Sequence, residues 1–405
     1  MDPTTTLTHF RERRDEMIDK IIQIVDIESP SGDVGQNLKV VEWIVKYAAE
    51  SGLNVEVERV RADGFGEHLI IRAFPGNGKH ILLLGHTDTV HPIGSIAKNP
   101  TRIDYGKFYG CGIFDMKANI ILMIEALSYI SKIGVRPPCP INILLSCDEE
   151  VGSHTGREIV EREAANAELC LVFEPSAEGR VKTGRKGTGQ YLLKAHGSPA
   201  HAGLEPEKGV NAVSEIAKQV ERIHAIARPD IGTTVNVCTI SGGTTSNVIP
   251  AYGQCEIDVR FTTMSEAERV DSCLRSLPPF DERVRLELCG AINRPPLERT
   301  PQVAALFEKA KAIAQSFDYA IDEVQVGGAS DGNFVAALGV PIIDGLGLAG
   351  TGAHMLTEHI MVGDIPDRAT LVALDRHRRP LAVSSNLNIW RRISSGDGLG
   401  LQNRL

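Results

Sequence analysis

Two kinds of hydrophobic pattern alternate along the chain. Residues 9–25 carry Phe10, Met17, Ile21, Ile22 and Ile24 at helical spacing, and residues 38–49 do the same with Leu38, Val41, Ile44 and Val45. Three strand-like runs follow, NVEVERV, HLIIRAF and HILLLG. Residues 116–133 (MKANIILMIEALSYISKI) read as a helix apolar enough to sit deep in the body, and after the Pro-rich RPPCP come INILLSC and LCLVFEP. Short continuous apolar strands separated by helices predict a mostly parallel sheet flanked by helices on both faces, an α/β fold.

The texture changes at about Lys182. GTGQYLLKAHG predicts a strand, 209–227 a helix, TTVNVCTISGG and AYGQCEIDVRFTT two strands, 265–277 a helix and RVRLELCG a last strand. This β-α-β-β-α-β order is that of a ferredoxin-like α+β unit. After RPPLERT the first texture returns, with helices at 301–316 and 331–338, a strand in GVPIIDG and a helix at 366–374. The expected organisation is a discontinuous catalytic domain (1–182 and 293–382) interrupted by an inserted domain (183–292). An irregular tail (383–405), rich in Gly and Ser, is expected to be poorly ordered.

Composition narrows the function classes. With 405 residues, 42% of them hydrophobic and 23% charged, the chain is an ordinary globular sequence large enough for two domains. A net charge of −9 without a Lys/Arg stripe argues against a nucleic-acid partner. No apolar run has the length of a membrane span, and the first residues lack a signal-peptide core. None of the eight cysteines forms a CxxC pair. Buried reduced thiols and a cytoplasmic location are the expectation. GRKGTG lacks the spacing of a phosphate loop.

Chemistry concentrates where strands end. His86 follows HILLLG, Asp148, Glu149 and Glu150 follow INILLSC, and Glu174 follows LCLVF. In parallel α/β sheets ligands bind beyond these carboxyl ends. Each residue alone has a plainer account: a turn histidine, a solvated acidic loop, an extended residue before Pro175, a helix cap at Asp115. Three strands ending this way are better explained by a divalent cation that relieves carboxylate repulsion. An imidazole and carboxylate set suits zinc, cobalt or manganese.

The strings GHTDTV, GCGIFDMKA, DEEVGS, FEP, GSPAHAG, NVIP, DVRF, GGASDGN and GTGAH stand in this order between about residues 80 and 360. They resemble the dizinc aminoacylase/carboxypeptidase family, which includes acetylornithine deacetylase, succinyl-diaminopimelate desuccinylase and bacterial glutamate carboxypeptidases. The resemblance implies two zinc ions, one on His86 and Glu174, the other on Glu150 and His354, with Asp115 between them and a cis bond after it. It implies that Asp88 orients His86 and that Glu149 is the general base for a water held between metals about 3.5–4 Å apart. It also implies that His201 reaches the active site of a partner subunit, making a homodimer through the inserted, lid-like domain. Asn247 and Arg260 would grip the substrate near its carboxylate, and Gly328 would line the same pocket. Asp331 is either part of that pocket or a helix cap. The expected substrate is a small peptide or N-acyl amino acid with a free carboxylate. GRKGTG and AHAGLEPEKGVNA favour the glutamate carboxypeptidase branch; N-acyl amino acid deacylation is the neighbouring alternative. A metal-stabilised binding protein without catalysis is the alternative of another class, disfavoured because it has no use for Glu149.

Overall fold

The structure, a computed structural model, describes residues 1–374; the tail expected to be poorly ordered lies outside the described residues. The central sheet has six strands in the order Val55–Ala62, Gly66–Ala73, Ile141–Ser146, His80–His86, Ala167–Val172 and Ile342–Ile343. The last four are mutually parallel, and the first two join antiparallel at one edge. Successive residues point to opposite faces. Ile81, Leu83, Ile141, Ile143, Leu169 and Leu171 enter one apolar cluster, while Leu82, Leu84, Leu144, Cys170 and Val172 enter another. Both faces are therefore covered, which is why these strands read as unbroken apolar runs. Each such side chain contributes roughly 1.5–3 kcal/mol on full burial.

Helices Pro3–Glu12, Arg14–Val25, Val34–Glu50, Ala118–Lys132 and Asp364–Leu374 cover the first face. Gly156–Ala165 and Gly332–Ala337 pack on the other. Every residue from Ala118 to Ile130 is buried, the reason that helix is mostly apolar on every side. The helix expected over 9–25 is two helices broken at Arg13, whose guanidinium reaches the buried Glu125 at 3.3 Å. Hydrophobic spacing continues across the break, so periodicity did not reveal it. The helix expected from Met116 starts at Ala118, because Asp115 and Met116 lie in a tight non-helical turn whose connecting peptide is cis. In GVPIIDG only Ile342–Ile343 is strand. Val181–Arg185 and Glu323–Val326 form a parallel pair that the polar strings VKTGR and EVQV did not suggest.

A second, antiparallel sheet has the order Thr234–Gly242, Tyr252–Phe261, Gly187–His196, Arg285–Arg294. Helices Ala212–His224 and Met264–Arg275 pack on it around a separate apolar core that includes Leu193, Ile216, Ile257, Phe261 and Val270. This is the ferredoxin-like arrangement expected for the insertion.

Candidate metal centre

The carboxyl ends of the parallel strands converge as the sequence implied. His86 ends its strand fully buried. A Cβ on Gly85 before it would crowd the Met116 thioether, whose sulfur accepts the His86 N–H at 3.2 Å. The His86 Nδ1 lies 2.9 Å from the main-chain oxygen of Asp88 and 3.4 Å from its carboxylate. That arrangement leaves Nε2 facing Asp115 Oδ1 at 3.1 Å and Glu174 Oε1 at 3.5 Å. The Asp88 carboxylate has further work. It accepts the N–H groups of Glu149 and Glu150, both at 3.2 Å, and the Ser31 hydroxyl at 2.6 Å.

The three consecutive acids after Ile141–Ser146 point to three different tasks. Asp148 accepts from the N–H groups of Thr155 and Gly156 and holds the start of helix Gly156–Ala165. Glu149 turns toward His86 and Glu174; ligand atoms of these three lie within 4.8 Å of one another. Glu150 meets His354 Nε2 at 3.1 Å. His354 adopts a φ of +66°, a left-handed conformation uncommon outside glycine, and its side chain is 54% exposed. The second oxygen of Asp115 lies 3.6 Å from the same His354 nitrogen. Asp115 thus offers one oxygen to each imidazole, and His86, Asp115 and Glu150 form a second compact group.

Like charges at this density perturb one another. Burial opposes protonation of His86, but hydrogen bonds to Asp115 and Asp88 and the charge of Glu174 outweigh it and hold the imidazole well above its usual range. Hydrogen bonds to Asp115 and then Glu150 hold His354 up to about 10. Burial, then the Asp115 charge, pushes Glu174 up to about 7. Burial likewise raises Glu149, against the pull of Arg294. Burial would raise Asp115 too, yet its bonds to His354 and His86 keep it below the carboxylate range. One buried oxygen, Glu150 Oε1, has no hydrogen-bond partner. An unsatisfied buried carboxylate oxygen beside four other ligand-type side chains fits a cation. The donor set of two imidazoles and three carboxylates, with Asp115 between the two imidazoles, suits divalent zinc, cobalt or manganese.

Three supporting residues escaped the sequence reading. Glu358, fully buried, accepts from the N–H groups of Gly112 (2.8 Å), Phe114 (2.8 Å) and Asp115 (2.9 Å) and from His91 Nε2 (2.6 Å), which fixes the turn that presents Asp115. Arg185 pairs with Asp344 at 2.7 and 2.8 Å and stands 3.5 Å from Glu174. Arg294 stands 3.0 Å from Glu149. Only Glu358 had a sequence signal, its place four residues after His354 in AHMLTEH.

The remaining expected residues lie elsewhere. His201 and Asn247 are brought together: the two-residue strand Ala200–His201 pairs with Val248–Ile249, and Ala202 N–H donates to the Asn247 carbonyl at 2.9 Å. Both residues are exposed. Arg260 is paired with its own sheet neighbour Asp258 at 2.8 Å. Gly328 is exposed, and its carbonyl accepts from Arg185 at 3.2 Å. Asp331 makes no side-chain cap to helix Gly332–Ala337; its carboxylate takes the Ser146 hydroxyl at 2.8 Å, the Ser153 hydroxyl and Arg294. Among the described residues, no contact joins His201, Asn247 or Arg260 to these imidazole and carboxylate groups within one chain.

Comparison with known proteins agrees with this geometry. Residues 82–374 match the profile of Peptidase family M20/M25/M40. Carboxypeptidase G2 of Pseudomonas sp. is 28% identical over 376 residues, covering 90% of each chain. A succinyl-diaminopimelate desuccinylase of Verminephrobacter eiseniae is 31% identical over 310 residues, covering 71% of this chain and 75% of that one. In fold, the chain is similar to aminopeptidase PepT from Bacillus cereus, with a TM-score of 0.73 at 22% identity over 90% of this chain and 98% of the other. The family match spans the strands, turns and helices that carry all five imidazole and carboxylate ligand candidates, and the chain belongs to peptidase family M20/M25/M40 and is a hydrolytic enzyme.

Proposed function

We propose that this enzyme hydrolyses an amide next to a free carboxylate and releases a C-terminal amino acid, as a carboxypeptidase acting on small peptides or N-acyl amino acids. The observation that carries the reading is Glu149: a carboxylate beside the ligand group, held by Arg294 at 3.0 Å and with its pKa raised by burial. His86 and Glu174 would hold one divalent ion, Glu150 and His354 the other, and Asp115 both. Bound ions of this class, zinc first among them, polarise a carbonyl and acidify water. Glu149 takes a proton from the attacking water at its carboxylate oxygen. As the new carbon–oxygen bond forms and the carbon–nitrogen bond breaks, it delivers that proton to the leaving amine. Asp88 accepts from His86 Nδ1 and would leave Nε2 free to hold an ion.

The carboxypeptidase branch is favoured by the similarity to carboxypeptidase G2 over nearly the whole chain. N-acyl amino acid deacylation is the second reading, favoured by the desuccinylase relatives. Zinc-loaded protein assayed against N-acetyl amino acids and against peptidyl or aroyl conjugates of glutamate is expected to favour the conjugates. Faster turnover of the simple N-acetyl amino acids than of every glutamate conjugate would reject the carboxypeptidase assignment.

Asn247, Arg260 and Gly328 would contact the carboxylate-bearing side of the substrate, and His201 would stabilise the developing oxyanion from a partner subunit. Two features support a homodimer through the inserted sheet. Strand Thr234–Gly242 is an edge strand carrying an exposed Ile240, and the His201 ring faces solvent with its Nδ1 taken by the Gly203 N–H at 3.1 Å. Mixing His201→Ala and Glu149→Ala proteins under conditions of subunit exchange is expected to restore up to about one quarter of wild-type activity, because mixed dimers keep one intact site. No recovery after exchange is verified by mass would place His201 in its own chain's site. A cytoplasmic location accords with the free thiols, and no described helix is long and apolar enough to cross a membrane.

A further inference from the structure

Arg294 is the last residue of strand Arg285–Arg294, where the chain leaves the inserted sheet for the catalytic unit. Its backbone is still in register with Thr188 of that sheet. Its side chain, 10% exposed, turns the other way. Nη2 stands within hydrogen-bond reach of the main-chain oxygen of Glu149 (3.1 Å), Ser153 Oγ (2.7 Å) and Asp331 Oδ1 (3.0 Å), which share its two N–H groups, and lies 3.0 Å from Glu149 Oε1. The guanidinium carbon lies 5.4 Å from the centre of the Phe334 ring. One buried cation therefore holds both ends of the Glu149–Ser153 turn and the carboxylate of Glu149 itself. Burying an arginine is costly unless its charge is met, and Glu149 and Asp331 meet it.

The turn it holds is itself unusual. Ser153 has a φ of +56°, and its hydroxyl donates to Asp331, which also takes the hydroxyl of Ser146 at the end of strand Ile141–Ser146. The two crossings between the units are tied together. Arg185 and Leu297 exchange backbone hydrogen bonds of 2.9 and 3.0 Å. The buried Asn333 donates to the carbonyls of Lys186 (3.1 Å) and Pro295 (2.7 Å), one on each crossing.

We propose that Arg294 is a positioning residue that orients the Glu149 carboxylate from the strand returning from the inserted sheet, so that the placement of that sheet governs the base. The proposal rests on the reading of Glu149 as general base.

The test uses full-length, metal-loaded protein and N-benzoyl-L-glutamate, or the best substrate of the panel above, with kcat and KM determined separately and metal content measured. Misplacing a reacting group by about 1 Å costs on the order of 10²-fold. Arg294→Met is expected to lower kcat about 100-fold, with KM within about threefold and metal content unchanged. Arg294→Lys is expected to recover about tenfold of that loss, because the contacts converge on one nitrogen that an ammonium can replace in part. Asp331→Asn leaves the arginine but removes its second anion; it is expected to lower kcat in the same direction at constant KM, and it decides the question if the Met variant does not fold. A raised KM at unchanged kcat would make Arg294 a substrate ligand, and loss of metal would make it a support of the centre; either overturns the proposal. Glu149→Ala separates the two layers. An active Glu149→Ala enzyme refutes the base and this proposal with it. An inactive one beside an unimpaired Arg294→Met enzyme refutes only the positioning role.

Discussion

Glu149→Ala is expected to retain two equivalents of metal by elemental analysis and to lose about 10²–10⁴-fold in kcat, the usual contribution of a general base. The expectation follows from how the acids divide their contacts. Glu150 and Asp115 face His354, Asp115 and Glu174 face His86, and each of those pairings survives when Glu149 is shortened. Glu149 instead spends one oxygen on Arg294, at 3.0 Å. Its carboxylate also lies close enough to His86 and Glu174 to have served as a ligand, so metal content is the discriminating measurement. A variant that loses both turnover and one metal equivalent would make Glu149 a ligand. A variant that keeps metal and wild-type turnover would remove it from the chemistry altogether.

Much of this centre was legible because parallel strands covered on both faces write themselves as apolar runs. HILLLG, INILLSC and LCLVF end at the same edge, so the sequence alone places His86, Glu150 and Glu174 together. Asp115 and His354 depended on resemblance, since each reaches the site through a turn with no periodic signal, one non-helical at Asp115 and one left-handed at His354. The supporting shell was hidden for a different reason. Glu358 contacts Gly112 across 246 residues, and Arg294 contacts Glu149 across 145. No local pattern encodes such pairs; they exist only after the sheet has formed and the insertion has returned. The polar strand Val181–Arg185 shows the same limit. All five of its residues are buried, which hydropathy alone contradicts, because the Asp344 carboxylate makes burial of Arg185 tolerable.

Removing the metal is expected to abolish turnover, by at least about 10³-fold, and adding back zinc, cobalt or manganese to restore it, because several kcal/mol of transition-state stabilisation leave with the ion. The pH dependence of metal retention carries more information than the loss itself. Without an ion, protons are the cations that neutralise the site. His354 is held up to about 10 by its bonds to Asp115 and Glu150, and burial with the Asp115 charge lifts Glu174 to about 7. Metal binding must displace these protons. Both groups have folded-state values above their ordinary ones, so their protonated forms stabilise the metal-free fold at low pH. For Glu174 that contribution is complete below the ordinary carboxylate value of 4.5 and is lost as pH rises through about 7; for His354 it is complete below 6.5 and lost through about 10. Asp115 is shifted the opposite way, and its window lies below the ordinary value of 3.8, outside the range in question. The metal-free protein should therefore lose stability between about pH 6 and pH 9 while the metal-bound site, already deprotonated, does not. Thermal unfolding with and without chelator should show a Tm difference that widens steadily across that interval, and titration calorimetry should show proton release on metal binding that declines as pH rises. A difference that stays constant or narrows would mean that His354 and Glu174 do not compete with protons for the ion, and the assignment of these two residues as ligands would fall with it.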